Sequence, residues 1–203
     1  MTVSIVLTAA AVLGALSFFE PCTIATHTLF SARSHARRES ECCRELLALW
    51  GARSLLSVGL LFVPVALAAP FRFGAHFPSI ALALIASVYL VSRLVYIPVP
   101  HLEFWKLLPG GAVYPQAVKL GLTLPACTLP LFLIVAALTA ALGSWFTALG
   151  AGLLFAALFT APTAVTALLG VSESSRRFLN GAALATPYLT AALLYGAAIF
   201  LLV

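Results

Sequence analysis

Leu124-Pro125-Ala126-Cys127-Thr128-Leu129-Pro130 interrupts an apolar run that otherwise reads as one membrane span, about Ala117 to Leu142. Proline removes a helix hydrogen bond and clashes with the preceding turn. The run therefore predicts a helix broken inside the hydrocarbon. A second stretch has the same character: Phe19-Glu20-Pro21-Cys22-Thr23-Ile24, within an apolar run from about Val3 to Ala32. A straight helix of about 30 residues would measure about 45 Å, against about 30 Å of hydrocarbon. The first span must tilt strongly or break, and Pro21 lies inside it.

Outward from these two breaks, composition puts the whole chain in lipid. Of 203 residues, 63% are hydrophobic and 8% charged, whereas a soluble domain carries about a quarter charged residues. A soluble chain this apolar could not hide its surface, but spans of about 20 apolar residues can use it. The remaining runs are Leu46–Ala69, Ser79–Ile97, a fifth that follows a tight turn at Gly143-Ser144 and ends near Leu169, and Phe178–Val203. The expectation is an all-α integral membrane protein of six transmembrane helices, a single domain over residues 1–203.

The net charge of +5 does not predict nucleic-acid binding, because the cations sit in gaps between apolar runs and do not interleave with aromatics on a polar face. Gaps one, three and five hold Arg33, Arg37, Arg38, Arg44, Lys106, Arg176 and Arg177, while gaps two and four hold only Arg72. Positive charge stays on the cytoplasmic side, so the odd gaps are expected inside and both termini outside. Arg53, Arg93 and Lys119, near the inner ends of spans two, three and four, are expected to snorkel. Met1-Thr2-Val3-Ser4 lacks the basic region of a cleavable signal. The first run is thus read as a retained span of a multi-pass protein in the cytoplasmic (inner) membrane.

The likeness of the two cysteine segments suggests an internal repeat, about residues 1–100 and 115–203. Three spans per half is an odd number, so the second half enters the membrane with opposite polarity, giving two inverted three-helix repeats. Such repeats place their site near the midplane, at broken helices in matching positions. Pro64 in span two and Pro162 in span five form a weaker echo.

A single cysteine in a span packs as a small hydrophobe. Cys22 and Cys127 differ, because each adjoins a helix-breaking proline, precedes threonine and recurs in an equivalent half. That context points to redox chemistry. The thiolate is the nucleophile of disulfide exchange and is disfavoured in an apolar medium. If a half-helix starts at Pro21, Cys22 falls in its first turn, at the positive end of the helix dipole. Thr23 and Thr128 can donate hydrogen bonds, and a break gives hinge motion and access. Glu20, an acid within a span, is a candidate for handling protons beside Cys22. His27 reads as a polar residue near the cytoplasmic end. Cys42 and Cys43 lie with His35 in an expected exposed, charged loop, Arg33 to Glu45. Adjacent cysteines converge poorly on a metal, so no metal site is expected there.

The arrangement resembles the CcdA family, small relatives of the transmembrane domain of the disulfide reductase DsbD. The matching residues are Pro21-Cys22 and Pro125-Ala126-Cys127-Thr128-Leu129-Pro130, and in span count, repeat and cysteine placement the likeness covers nearly the whole chain. The resemblance implies a transmembrane electron transporter without a cofactor. It would take electrons from cytoplasmic thioredoxin and deliver them to extracytoplasmic thioredoxin-like proteins, supporting cytochrome c maturation. It also implies that Cys22 and Cys127 alternate between a disulfide and a dithiol. The chain departs from the family at Ala25: the position three after Cys22 is not proline, whereas the position three after Cys127 is Pro130.

Other classes fit less well. A small-solute exporter of inverted-repeat design would not need cysteine at both breaks. A quinone-linked disulfide oxidase relies on paired cysteines near the outer surface, and the outer gaps contain none. A copper carrier would want thioether ligands, and the only methionine is Met1.

Overall fold

Pro21 cuts the first apolar run in two. A computed structural model describes residues 3–36, 39–68, 77–94, 101–110, 113–170 and 173–200. In it the run forms α1 (Val3–Phe18) and α2 (Pro21–His35), bent by 74°. The run thus breaks, the second of the two options its length allowed. Pro21 takes the first helical position of α2, where its missing N–H is one the helix never uses.

The fourth run departs further from a continuous span. It forms α5 (Gln116–Gly121), a short strand β2 (Thr123–Leu124), a turn at 125–128 and α6 (Leu129–Leu142). β2 pairs antiparallel with β1 (Leu102–Glu103), placing Leu102 opposite Leu124 and Glu103 opposite Thr123. The sequence reading anticipated a break but not this ribbon, and the two prolines explain it. Pro125 biases Leu124 toward extended backbone. Pro130 fits a helix only in its first turn, and it stands second in α6. The residues between the two prolines therefore have no helix to join. A 3-10 turn, Phe104–Leu107, follows β1.

Among the described residues, three stretches are long and apolar enough to cross a membrane: Glu39–Leu67, Trp145–Leu169 and Arg177–Phe200. They belong to α3 (Glu39–Ala68), α7 (Trp145–Leu169) and α8 (Glu173–Phe200). The bent α1–α2 pair makes a fourth if taken as one span, and α4 (Phe77–Leu94) completes the helices. Leu29, Leu55, Val88, Phe146 and Leu184 face outward, whereas Glu20, His27, Ser31, Arg53 and Thr163 are buried. This inversion of the usual soluble pattern belongs to an all-α membrane protein.

α7 is the hub. α1 and α3 both pack along it, α2 leans on it, α5 and α6 pack on α3, and α4 pairs with α8. Two glycines permit close crossings with α7. A Cβ on Gly14 would fall 2.5 Å from the Phe155 carbonyl oxygen, and one on Gly152 would fall 2.9 Å from Val58 Cα. The tight turn expected at Gly143-Ser144 is present. Gly143 caps α6 in the left-handed region, and Ser144 Oγ accepts from the Thr147 amide at 3.4 Å.

The segment from Arg33 to Glu45, read as a loop, is largely helical. α2 runs to His35 and α3 begins at Glu39, with Glu39 and Glu41 in its first turn, where a helix favours negative charge. Arg37, Arg38, Arg72, His76, Pro98, Pro100 and Gly111 lie outside the described residues, and of Arg93 and Arg176 only the backbone is described.

Candidate functional site

Cys22 and Cys127, 105 residues apart in the chain, are joined as a disulfide with their Cα atoms 6.9 Å apart. The bond links the two breaks. Each proline sets where its cysteine stands. Pro21 starts α2, so Cys22 lies in the first helical turn. Pro130 is second in α6 and Thr128 is its N-cap, so Cys127 sits just outside the helix. Ala25, where a proline would clash with the preceding turn, lets α2 continue past Cys22. The two cysteines also differ in exposure: Cys22 is partly exposed, whereas Cys127 is 6% exposed.

The two threonines play unequal parts. Thr128 Oγ1 donates to the Pro125 carbonyl at 2.9 Å, and its amide donates to the same oxygen at 3.0 Å. Its hydroxyl thus closes the turn and is not offered to sulfur. Thr23 Oγ1, also fully buried, has no hydrogen-bond partner among the described residues.

Glu20 caps the start of α2 through its backbone, its carbonyl accepting from the amides of Thr23 and Ile24. Its side chain is fully buried, and Oε1 accepts from Tyr89 Oη at 2.9 Å and Thr190 Oγ1 at 2.8 Å. The acid thereby ties the first break to α4 and α8.

His27 does not sit at a solvated helix end; it is fully buried. Its ring stacks on Phe159, Nδ1 lies 2.6 Å from Thr163 Oγ1, and Nε2 lies 3.1 Å from Arg53 Nη2. Guanidinium groups only donate, so Nε2 accepts and Nδ1 carries the proton toward Thr163. Arg53 does not snorkel, as its place near a span end suggested. It is 2% exposed, donates to Thr160 Oγ1 at 3.1 Å and lies over the Phe159 ring at 3.9 Å. Sequence spacing held a signal here that single-residue reading passes over: Thr23, His27, Ser31 and Ser34 form one face of α2, and all four are buried.

The ribbon brings a third element to the second break. His101 precedes β1, and its Nδ1 accepts from the Ala126 amide at 3.4 Å. A cleft of about 300 Å³ opens there, lined by His101, Leu102, Glu103, Phe104, Lys106 and Leu107. Lys106 pairs with Glu103, and Lys106 and Lys119 flank the Trp105 ring at 5.5 and 5.1 Å.

Cys42 is buried and Cys43 exposed, both as free thiols on α3. Among the described residues, no three His, Cys, Asp or Glu side chains gather as a metal site. No family model, curated protein or solved structure matches the chain.

Proposed function

We propose that this chain is a membrane electron carrier of the CcdA kind, moving reducing equivalents by thiol–disulfide exchange from cytoplasmic thioredoxin to thioredoxin-like proteins outside, in support of cytochrome c maturation. The observation that carries the reading is the disulfide between Cys22 and Cys127, which joins the two proline breaks. Two structural cysteines would not need to sit at interruptions in two separate spans.

The fold supports six spans in two inverted repeats. α1 and α2 make span one, α5 through α6 make span four, and α3, α4, α7 and α8 are the others. The halves then correspond as α1 to α5–β2, α2 to α6, α3 to α7 and α4 to α8. The packing follows that exchange: α1 on α7 answers α5 on α3, α2 on α7 answers α6 on α3, and α3 with α7 and α4 with α8 pair as counterparts.

Access sets the order of attack. A donor thiolate attacks Cys22, the more exposed of the two cysteines, and bonds to its sulfur, and the electron pair of the old bond leaves on Cys127. The donor's second thiol then displaces Cys22, so the donor becomes a disulfide and the pair a dithiol. The reverse sequence passes two electrons and two protons to an oxidised acceptor on the other side. The test is trapping. The Cys127→Ser variant should accumulate a mixed disulfide between Cys22 and a thioredoxin that lacks its resolving cysteine and carries its other one activated as a mixed disulfide with thionitrobenzoate, which leaves as the thiolate when Cys22 attacks. The Cys22→Ser variant should accumulate little. Equal absence of adducts in folded samples of both variants would count for a carrier with no redox role.

A further inference from the structure

We propose that Arg53 is the fixed cation that poises the Cys22–Cys127 pair, stabilising the thiolate released when the disulfide opens. The proposal rests on the redox reading above and deepens it.

Arg53 is a buried charge on α3, 2% exposed. Among the described residues it has no carboxylate partner; its guanidinium meets only the Thr160 hydroxyl, the His27 imidazole and the Phe159 face. Two of its N–H groups donate in those contacts, and none of the contacts cancels its charge. A buried cation without a counter-charge is costly, and an ionisable group within a span is a functional candidate by default.

Its placement sets the charge between the two cysteine-bearing spans. The side chain reaches α2 at His27, five residues after Cys22, about 7.5 Å along the helix axis. The backbone abuts α5, six residues before Cys127: a Cβ on Gly121 would fall 2.7 Å from the Leu49 carbonyl oxygen and 3.1 Å from the Arg53 amide nitrogen. α3 is thus wedged at Arg53 between the two cysteine-bearing spans. His27 accepts a hydrogen bond from Arg53 and is therefore neutral in this arrangement, so it holds the cation in place without opposing it. In a poorly polarisable interior, a charge is felt over distances at which water would silence it. Exchange creates a negative charge here only when the disulfide opens, as a thiolate on Cys127 and then on Cys22. Arg53 favours that state, and by favouring the reduced form it makes the pair a better oxidant of its donor, as stabilised thiolates do elsewhere. Arg53 acts through its field, as a positioning residue.

The test is the redox equilibrium of the purified full chain in lipid nanodiscs against a glutathione buffer, read by alkylation and mass at Cys22 and Cys127. Arg53→Met keeps the bulk and removes the charge, while Arg53→Lys keeps the charge. With fold checked by thermal melting, the Met variant should be about tenfold harder to reduce, a shift of about 30 mV toward more negative potential, and the Lys variant should stay near wild type. A folded Met variant with the wild-type equilibrium overturns the proposal, and so do equal shifts in Met and Lys, which would mark a packing role. If the Met variant does not fold, the wild type still decides. A stabilised thiolate gives the potential a one-proton slope with pH already below the ordinary thiol range of about 8.5, and a two-proton slope throughout that range overturns the proposal. Failure of the redox reading itself looks different: a pair that cannot be cycled reversibly at all.

Discussion

Pro21 and Pro130 each hold a helix start, and the cysteines take unequal positions because the two prolines fall on opposite sides of them. Cys22 follows its proline and lies within α2; Cys127 precedes its proline and lies before α6. Replacing Pro130 by alanine frees α6 to grow backward through Cys127. The expected result is a smaller fraction of chains able to form the disulfide, read as free thiol at Cys127 under mild oxidation; an unchanged fraction would show that the proline does not set this geometry. Glu20→Ala removes an acceptor from two buried hydroxyls, those of Tyr89 and Thr190. That should cost ~1–3 kcal/mol of stability, seen as a lower melting temperature in detergent, while Glu20→Gln, which keeps an oxygen there, should recover most of it. Equal melting of the Ala variant and wild type would rule out the tie.

Helix crossings decide how the breaks are held. α1 and α3 meet α7 where glycine leaves room for backbone contact, so Gly14→Val drives a side chain into the Phe155 backbone. Overpacking of this sort costs ~1–3 kcal/mol or more, and the variant should melt earlier or fold poorly. Gly59, which a Cβ would leave without contact, should accept alanine with little change. The elements also show what the sequence can convey. The apolar runs, the α6–α7 turn and the break at Pro21 are local, set by composition, proline and glycine, so they were legible. The β1–β2 ribbon was not, since each strand is two residues long and Leu102 pairs with Leu124 across an intervening segment much longer than a hairpin turn. Nor were the partners of Glu20 and Arg53: Tyr89, Thr190 and Thr160 lie 69, 170 and 107 residues away along the chain. A hydroxyl in a span gives no sign of which acid it will meet. The Arg33–Glu45 segment misled because charge suggests a loop, yet Glu residues at a helix start are as natural as in a loop.

The proposed electron transfer runs through one sulfur pair. Cys42 and Cys43 lie on α3, apart from that bond, so Cys42→Ser combined with Cys43→Ser should leave transfer intact; lost transfer would demand a second redox site. The inverted-repeat reading adds a topological expectation. Single cysteines introduced near Trp105 should be labelled from the cytoplasmic side by a membrane-impermeant reagent, and ones near Gly143 from the outside. The most direct measurement uses proteoliposomes holding the purified chain, with reduced thioredoxin and its regenerating system on one side only and an oxidised thioredoxin-like acceptor on the other. The account predicts that the acceptor becomes reduced with the wild-type chain and stays oxidised when Cys22 or Cys127 is serine. Acceptor reduction that persists in a folded Cys22→Ser or Cys127→Ser chain, or none with a folded wild type whose pair cycles, would contradict it.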